Sequence, residues 1–436
     1  MRLTERRMES ADMNIFGGLS AGATSGRWLV ASILLAAGPA RAQEALRNSL
    51  AGQAAAEARH RQLESQPYSF KAGDFRLLIA PSLGIEWNDN VNTAKGNSQE
   101  DFILRPLLRL DATYPLTHYN LLNLSVGVGY DKYLRHDEYS VWSLQSGSEL
   151  AFDLYIKDVW ISLHDRVEYV QDSAQEPAIA GTAQYGAINN TAGLLITWDL
   201  EDVTLSLGYD HENVISGTGQ FKAQDRAAEF IVGRTGLRLH PRFTVGIEAT
   251  GSFTTYEQTV LNHNTAYGAG VYADWQPGSF FRIQPHVGYL RYQFQQTSQF
   301  IRTSDLNSWY AHLAVTHQVS DVMSYSLSAG HEVRHGIQSD AIEDWYVSPS
   351  IDWRIVKNAP LKTFLSYEHG KQGAGNRAGN LAERYDWLGA GLGVSYALMK
   401  KLTLSLNYRR TLRSSDDSSR EYAQNLVGLQ LTYQFK

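Results

Sequence analysis

Cysteine is absent from all 436 residues, which excludes disulfide frameworks, thiolate catalysis and Cys-ligated metal sites together. Long apolar runs are also missing. Hydrophobic residues make up 43% of the chain and mean hydropathy is −0.32. Beyond residue 40 no stretch approaches the roughly 18 apolar residues that a spanning helix needs, so a helical membrane protein is excluded. No block of Lys or Arg stands out and the net charge is −6, which argues against nucleic acid as a partner. G-x-S-x-G, Walker-type and EF-hand patterns are lacking, and no spacing of Ser, His or Asp singles out a catalytic set. A non-enzymatic protein without a cofactor is expected.

What is present is 24 Tyr, 10 Trp and 36 Gly, a mixture that favours strands and tight turns. Tyr and Trp also collect where one end of a ring is apolar and the other wet. At the N-terminus Arg27 precedes the apolar run Trp28 to Ala37, and Ala40-Arg41-Ala42 fits the small-x-small pattern before a cleavage site. Residues 1–42 therefore read as an export signal cleaved near Ala42, with translation starting at Met1, Met8 or Met13. Residues 43–74 read as a periplasmic N-terminal extension, in part a short Ala-rich helix around Leu46, Leu50 and Ala54-Ala55-Ala56, to which no function is assigned.

From Phe75 to the end at residue 436 the dominant signal is period 2, the alternation of a strand with one apolar face. In Leu402-Thr403-Leu404-Ser405-Leu406-Asn407-Tyr408-Arg409 the apolar and polar sets separate cleanly, as they do over Val203 to Asp210, Leu122 to Asp131, Phe243 to Phe253 and Trp345 to Arg354. Repeats of roughly ten residues suit tilted strands that cross a bilayer. Counting them predicts an all-β, antiparallel, up-and-down transmembrane barrel of about 18 strands, with 16 as the alternative count.

The connections separate a membrane barrel from a soluble sandwich or propeller, because tight turns alternate with longer polar loops. Turns fall at Pro115-Leu116-Thr117-His118, Lys157-Asp158, Glu201-Asp202, His240-Pro241, Gln276-Pro277-Gly278, Ser320-Asp321, Lys357-Asn358-Ala359-Pro360 and Met399-Lys400-Lys401. Short periplasmic turns and longer extracellular loops produce this asymmetry, and an even strand number puts both termini in the periplasm. Aromatics at predicted strand ends, among them Trp87, Tyr114, Tyr133, Tyr155, Trp198, Trp275, Trp309, Trp345 and Trp353, fit the two interfacial girdles of such a barrel. The last strand ends in Leu429-Gln430-Leu431-Thr432-Tyr433-Gln434-Phe435 and resembles the C-terminal signal read by the barrel-insertion machinery, although Lys436 displaces the aromatic from the final position.

If the apolar face meets lipid and lipopolysaccharide, the other lines a lumen. Parity then assigns Arg105, Arg109, Asp111, Asp131, Glu149, Arg166, Glu168, Asp210, Arg234, Arg238, Glu248, Arg282, Asp352, Arg354, Glu368, Asp386 and Arg409 as pore-lining candidates. Their signs are mixed. A wall of one sign would make a strongly selective channel; mixed signs serve equally as cross-strand ion pairs that brace the wall. Glycines such as Gly270, Gly389 and Gly391 fall on the polar parity, as sites of sheet bending or lumen space. His331-Glu332-Val333-Arg334-His335 matches the zinc-protease pattern H-E-x-x-H, which requires a helix to bring both rings to one metal. A strand would hold those rings roughly 13 Å apart at about 3.3 Å per residue, so no metal site is expected.

Between Tyr68 and Tyr133 the words Phe70-Lys71-Ala72-Gly73-Asp74, Leu83-Gly84-Ile85-Glu86-Trp87-Asn88-Asp89-Asn90, Phe102-Ile103-Leu104-Arg105-Pro106 and Tyr114-Pro115-Leu116-Thr117 occur in order. In this the chain resembles the putative β-barrel porin type 2 family of bacterial outer-membrane proteins. The resemblance implies a Gram-negative outer-membrane location and a porin-like role, without an assigned substrate. The expected function is a channel for passive passage of small hydrophilic solutes. The alternatives are a conduit for polysaccharide export and a non-transporting barrel that serves as an adhesin or structural anchor.

Overall fold

Period-2 alternation leaves each segment with one face to bury or to turn to lipid, and closure of the sheet satisfies every edge at once. The computed structural model describes residues 44–62, 67–117, 119–356, 359–373, 376–378 and 382–435. The export segment 1–42, the turn residues His118 and Lys357-Asn358, and Lys436 lie outside these.

One helix, α1 (Glu44–Gln62), precedes the sheet. The strands are β1 (Phe75–Asn88), β2 (Asp101–Pro115), β3 (Leu121–Tyr133), β4 (Val141–Ile156), β5 (Val159–Gln171) and β6 (Gly186–Leu200). They continue with β7 (Val203–Ser216), β8 (Arg226–His240), β9 (Phe243–Tyr256), β10 (Asn264–Gly278), β11 (Phe281–Phe294) and β12 (Leu306–Ser320). The last six are β13 (Met323–His335), β14 (Ala341–Val356), β15 (Ala359–Gln372), β16 (Glu383–Met399), β17 (Leu402–Ser415) and β18 (Tyr422–Tyr433). Each pairs antiparallel with its neighbour in sequence, and β1 pairs with β18 to close the barrel. The count of 18 and the up-and-down order are those expected from the alternation.

The closing seam differs from the other joints. It runs over seven register pairs, from Ser82↔Thr432 to Asn88↔Leu426, against twelve between β7 and β8. Below Ser82, β1 instead takes up the short strand Phe70–Ala72, with Phe70 opposite Leu77 and Ala72 opposite Phe75. The seam is finished by the Phe435 amide, which donates to the Ile79 carbonyl at 3.2 Å.

Turns and loops alternate as expected and give the barrel a short-turn rim and a loop rim. Lys157 and Glu201 adopt positive φ (55° and 67°) in two of the tight turns. Outward aromatics form two bands, with Tyr114, Trp198, Trp275 and Trp353 towards the short-turn rim and Trp142, Tyr289, Trp309 and Trp345 towards the loop rim. Tyr133 departs from the expected girdle. It is buried inward against Val91 and Ile103.

Glycines on the inner parity mostly carry rings rather than empty space. A Cβ on Gly370 would stand 2.2 Å from the Tyr385 ring, and one on Gly391 would stand 2.0 Å from Phe364. Such contacts let an aromatic side chain lie flat on the inner wall, so part of the volume expected to be open lumen is filled.

Candidate functional site

The inner face is divided between two fillings, one helical and one made by a loop. The helix α1 lies against the inner side of β6 to β9. At its first turn Ala45 and Leu46 pack on Phe230, Val232, Tyr292 and Val333. The Glu44 carboxylate meets His335 at the end of β13 and lies 3.8 Å from Arg226 at the start of β8, both at the loop rim. Burial acts to raise the Glu44 carboxyl, but His335, Arg226 and Arg47 outweigh it and hold the group well below the usual carboxylate range.

Halfway along, Arg234 donates to Gln53 at 3.0 Å. Near the short-turn rim Arg59 donates Nε and Nη2 to the two Asp153 oxygens at 2.9 Å each, and Nη1 to Glu149 at 2.7 Å. A 19-residue helix is about 28 Å long at 1.5 Å per residue, close to the height of the apolar band it stands behind. The segment expected as a periplasmic extension thus contributes a helix that runs up the lumen.

The loop between β5 and β7's partner β6, residues 172–185, crosses to the opposite wall. Asp172 accepts from Arg409 at 2.7 Å, and Glu176 lies 3.3 Å from Arg334. Trp387 Nε1 donates to the Ala174 carbonyl at 3.2 Å, and Arg413 Nε donates to the Pro177 carbonyl at 2.8 Å. Gln372 and Arg420 both reach the Ala178 carbonyl, at 3.1 and 2.7 Å. Ile179 fits among Phe221, Ile337, Ile342, Tyr385 and Trp387. Burial pushes the Asp172 carboxyl up, but Arg409, Gln175 and Arg105 together bring it below the ordinary range.

Between these fillings remains a cavity of about 510 Å³. Ala58 and Arg59 of α1 form one side, and the inner faces of β1 to β4, β17 and β18 form the other. Its lining reaches the short-turn rim at Arg76, Thr113, Thr432 and Gln434. Towards the loop rim it narrows at Glu86, Arg105, Tyr133, Asp172 and Gln424 to a space of about 10 Å³, room for no more than one water molecule. This tight space, the neck, lies between the vestibule and loop 172–185, which lines it through Asp172, Ser173 and Ala183.

The structure brings many of the sequence candidates together as pairs. Arg105 lies 3.0 Å from Glu86 and 3.8 Å from Asp131, and Arg109 lies 2.9 Å from Asp111. Arg166 lies 3.6 Å from Glu149, and Asp210 lies 2.7 Å from His164 Nε2. Glu248 holds His286 and the Tyr310 hydroxyl at 2.9 and 2.8 Å, Glu368 holds Arg334 and Tyr385, and Glu168 accepts from Asn189. Arg238, Arg282, Asp352 and Arg354 sit low, near the short turns. There Arg238 meets Asp199 at 3.1 Å, Arg282 meets Asp274 at 2.5 Å, and Asp352 lies 3.5 Å from Lys362. Cross-strand bracing is therefore the common arrangement.

Asp386 is a correction. It lies on the outer face, 48% exposed, where it accepts from the Tyr367 hydroxyl at 2.6 Å and pairs with His369 at 2.8 Å. The aromatics Tyr385 and Trp387 on either side of it are buried inside, so a parity taken from aromatic rings inverts there.

Sequence reasoning missed Arg59, Glu44, Asp172, Glu176, Arg334 and Arg413. The polarity of the Ala-rich helix was a signal for the first two; acids in a polar loop gave none for Asp172 and Glu176. The H-E-x-x-H segment lies on β13, with His331 stacked on Trp309 at 4.3 Å and His335 held by Glu44 and Thr254. The two histidines do not converge.

A family model described as putative beta-barrel porin 2 matches residues 65–435. The chain belongs to this porin family. As a porin-family β-barrel it is a protein of the outer membrane; its short turns face the periplasm and its longer loops the exterior. A search of curated proteins finds no match. Among solved structures, this porin is similar to Pseudomonas aeruginosa OpdK with vanillate at 11% identity and a TM-score of 0.43, over 82% of this chain and 98% of that one. It is also similar to Pseudomonas aeruginosa OccK2 (OpdF) in complex with glucuronate, at 11% identity and a TM-score of 0.46, over 83% and 99%. A third is Acinetobacter baumannii OccAB3, at 10% identity and a TM-score of 0.44, over 82% and 99%.

Proposed function

We propose that this porin is a channel for the passive passage of small hydrophilic solutes, closed on its outer side by loop 172–185 in the conformation described. The vestibule of about 510 Å³ carries this reading. Arginines, carboxylates and the polar side chains of Ser82, Asn123, Ser125, Gln145, Asn407 and Gln430 stand among apolar ones such as Leu78 and Leu107, so a solute that sheds part of its shell meets both donors and acceptors there. A sugar chain moving through a conduit stacks on rings, and among the described residues this lining holds none. The polysaccharide conduit is therefore the weaker reading.

The test is conductance of the purified protein in planar bilayers, beside a variant with loop 172–185 shortened. Brief openings that become stable ones on shortening are expected; silence from both proteins refutes the channel. The reading takes the protein as a non-enzymatic one of a Gram-negative cell, exported by a segment cleaved near Ala42, which N-terminal sequencing of the membrane form checks. Interleaved charges and an outward apolar wall suit outer-membrane lipid and lipopolysaccharide as surroundings. The Phe435 ending suits recognition by the barrel-insertion machinery, so removal of Phe435 and Lys436 should lower the amount of assembled barrel. Equal assembly counts against that recognition.

A further inference from the structure

We infer that α1 sets the bore of the pathway and that Arg59 is the positioning residue that holds it there. The inference rests on the channel reading and adds to it what limits the size of the solute.

The helix forms one wall of the vestibule through Ala58 and Arg59, so the width of the passage is the gap between α1 and the facing strands. At its outer end α1 is fixed by packing, with Ala45 and Leu46 buried among the rings and branched side chains of β8 and β11. Towards its inner end, among the described residues, Ala56 is the buried apolar side chain and it belongs to no such cluster. There Arg59 is the anchor. Its guanidinium is 8% exposed and spans both oxygens of Asp153, one of Glu149 and the Ser162 hydroxyl. A planar fork matched to a carboxylate in this way fixes direction as well as distance. Asp153 is fully buried. Without Arg59 the two carboxylates face each other without the guanidinium, and they attract ions and water to the seat of the helix. The inner end of α1 then keeps, among the described contacts, only the partly exposed pair of Glu57 with Arg282 at 3.6 Å and the Gln53–Arg234 bond, while the outer half stays packed, and the vestibule widens at the periplasmic side.

The experiment uses the full chain in planar bilayers with size exclusion by graded polyethylene glycols. It compares wild type, Arg59→Ala, Asp153→Asn and the exchange Arg59→Asp with Asp153→Arg, all in an Asp172→Asn, Glu176→Gln background so that the neck opens. Heat-modifiable migration on gels selects folded barrels. Arg59→Ala should raise conductance by about two-fold or more, because a helix about 10 Å across fills much of the lumen, and should admit larger polymers. The exchange should restore both values. Deletion of residues 44–62 should exceed Arg59→Ala. Unchanged conductance and cut-off in folded Arg59→Ala and in the deletion overturn the inference while leaving the channel intact. No current from any of the proteins overturns the channel itself.

Discussion

Neutralising the two loop carboxylates, Asp172→Asn with Glu176→Gln, should turn a mostly closed channel into one that opens for a large part of the time. Asp172 and Arg409 are 2.7 Å apart with side chains 12% and 13% exposed, and Glu176 and Arg334 are 3.3 Å apart at 18% and 6%. A hydrogen bond to a charged group contributes about 1.5–3 kcal/mol. The two pairs engage different strands and share no partner among the described contacts, so their effects should be roughly additive, about 3–6 kcal/mol in total. At about 1.4 kcal/mol per tenfold, the closed-to-open ratio falls by a factor between about a hundred and about ten thousand. The Ile179 contacts and the carbonyl bonds at Pro177 and Ala178 remain, so a single substitution should give flickering and the pair longer openings. Single-channel recording reads this directly as open probability and dwell time. Dwell times equal to wild type in the folded double variant refute the reasoning, as does any decrease in open probability.

Three further outcomes follow from the geometry. The carboxyls of Asp172 and Glu44 are held below their ordinary range, so their stabilisation is present above a pH of about 4 and is lost as pH falls through the depressed values. Open probability should stay flat from about pH 5 to 8 and rise only in stronger acid, and a rise centred near pH 6.5 contradicts this. The vestibule is lined by Arg59, Arg76, Arg105 and Arg109 against Glu86, Asp111, Asp131 and Glu149, so reversal potentials in a KCl gradient should lie near zero and move towards cation selectivity in Arg109→Ala; strong single-sign selectivity in wild type refutes the balance. Gly370→Ala drives a Cβ to 2.2 Å from the Tyr385 ring, whereas Gly233→Ala meets nothing within 4 Å. The former should cost about 1–3 kcal/mol in urea unfolding and the latter much less, and equal midpoints count against the ring-on-glycine packing.

The sheet was legible because a strand's alternation is local. The alternation read over Val203 to Asp210 belongs to the strand Val203–Ser216, preceded by a tight turn with Glu201 at φ 67°. The filling of the lumen was not legible, because it depends on partners far along the chain. Glu44 meets a residue 291 positions away at His335, and Asp172 meets one 237 positions away at Arg409. Neither pairing leaves a periodic mark. Asp386 shows a second limit, since rings that lie over inner glycines imitate the outward aromatics from which parity is taken. Inward-facing charge was recognisable by residue type and alternation, Asp386 excepted, but its pairing depended on the register between strands.

The short seam between β1 and β18 bears on how the barrel is made and how it comes apart. Seven pairs hold the last joint, and its lower part is completed by a strand from the same end of the chain. The two edges that meet there belong to the first and last strands of the barrel, so the cylinder closes only when the Phe435 end of β18 reaches β1. Opening under load or denaturant should begin along this line and travel outwards like a zip, leaving long hairpins intact as the earliest unfolded species. Those hairpins would carry the exposed strand edges from which such a chain aggregates.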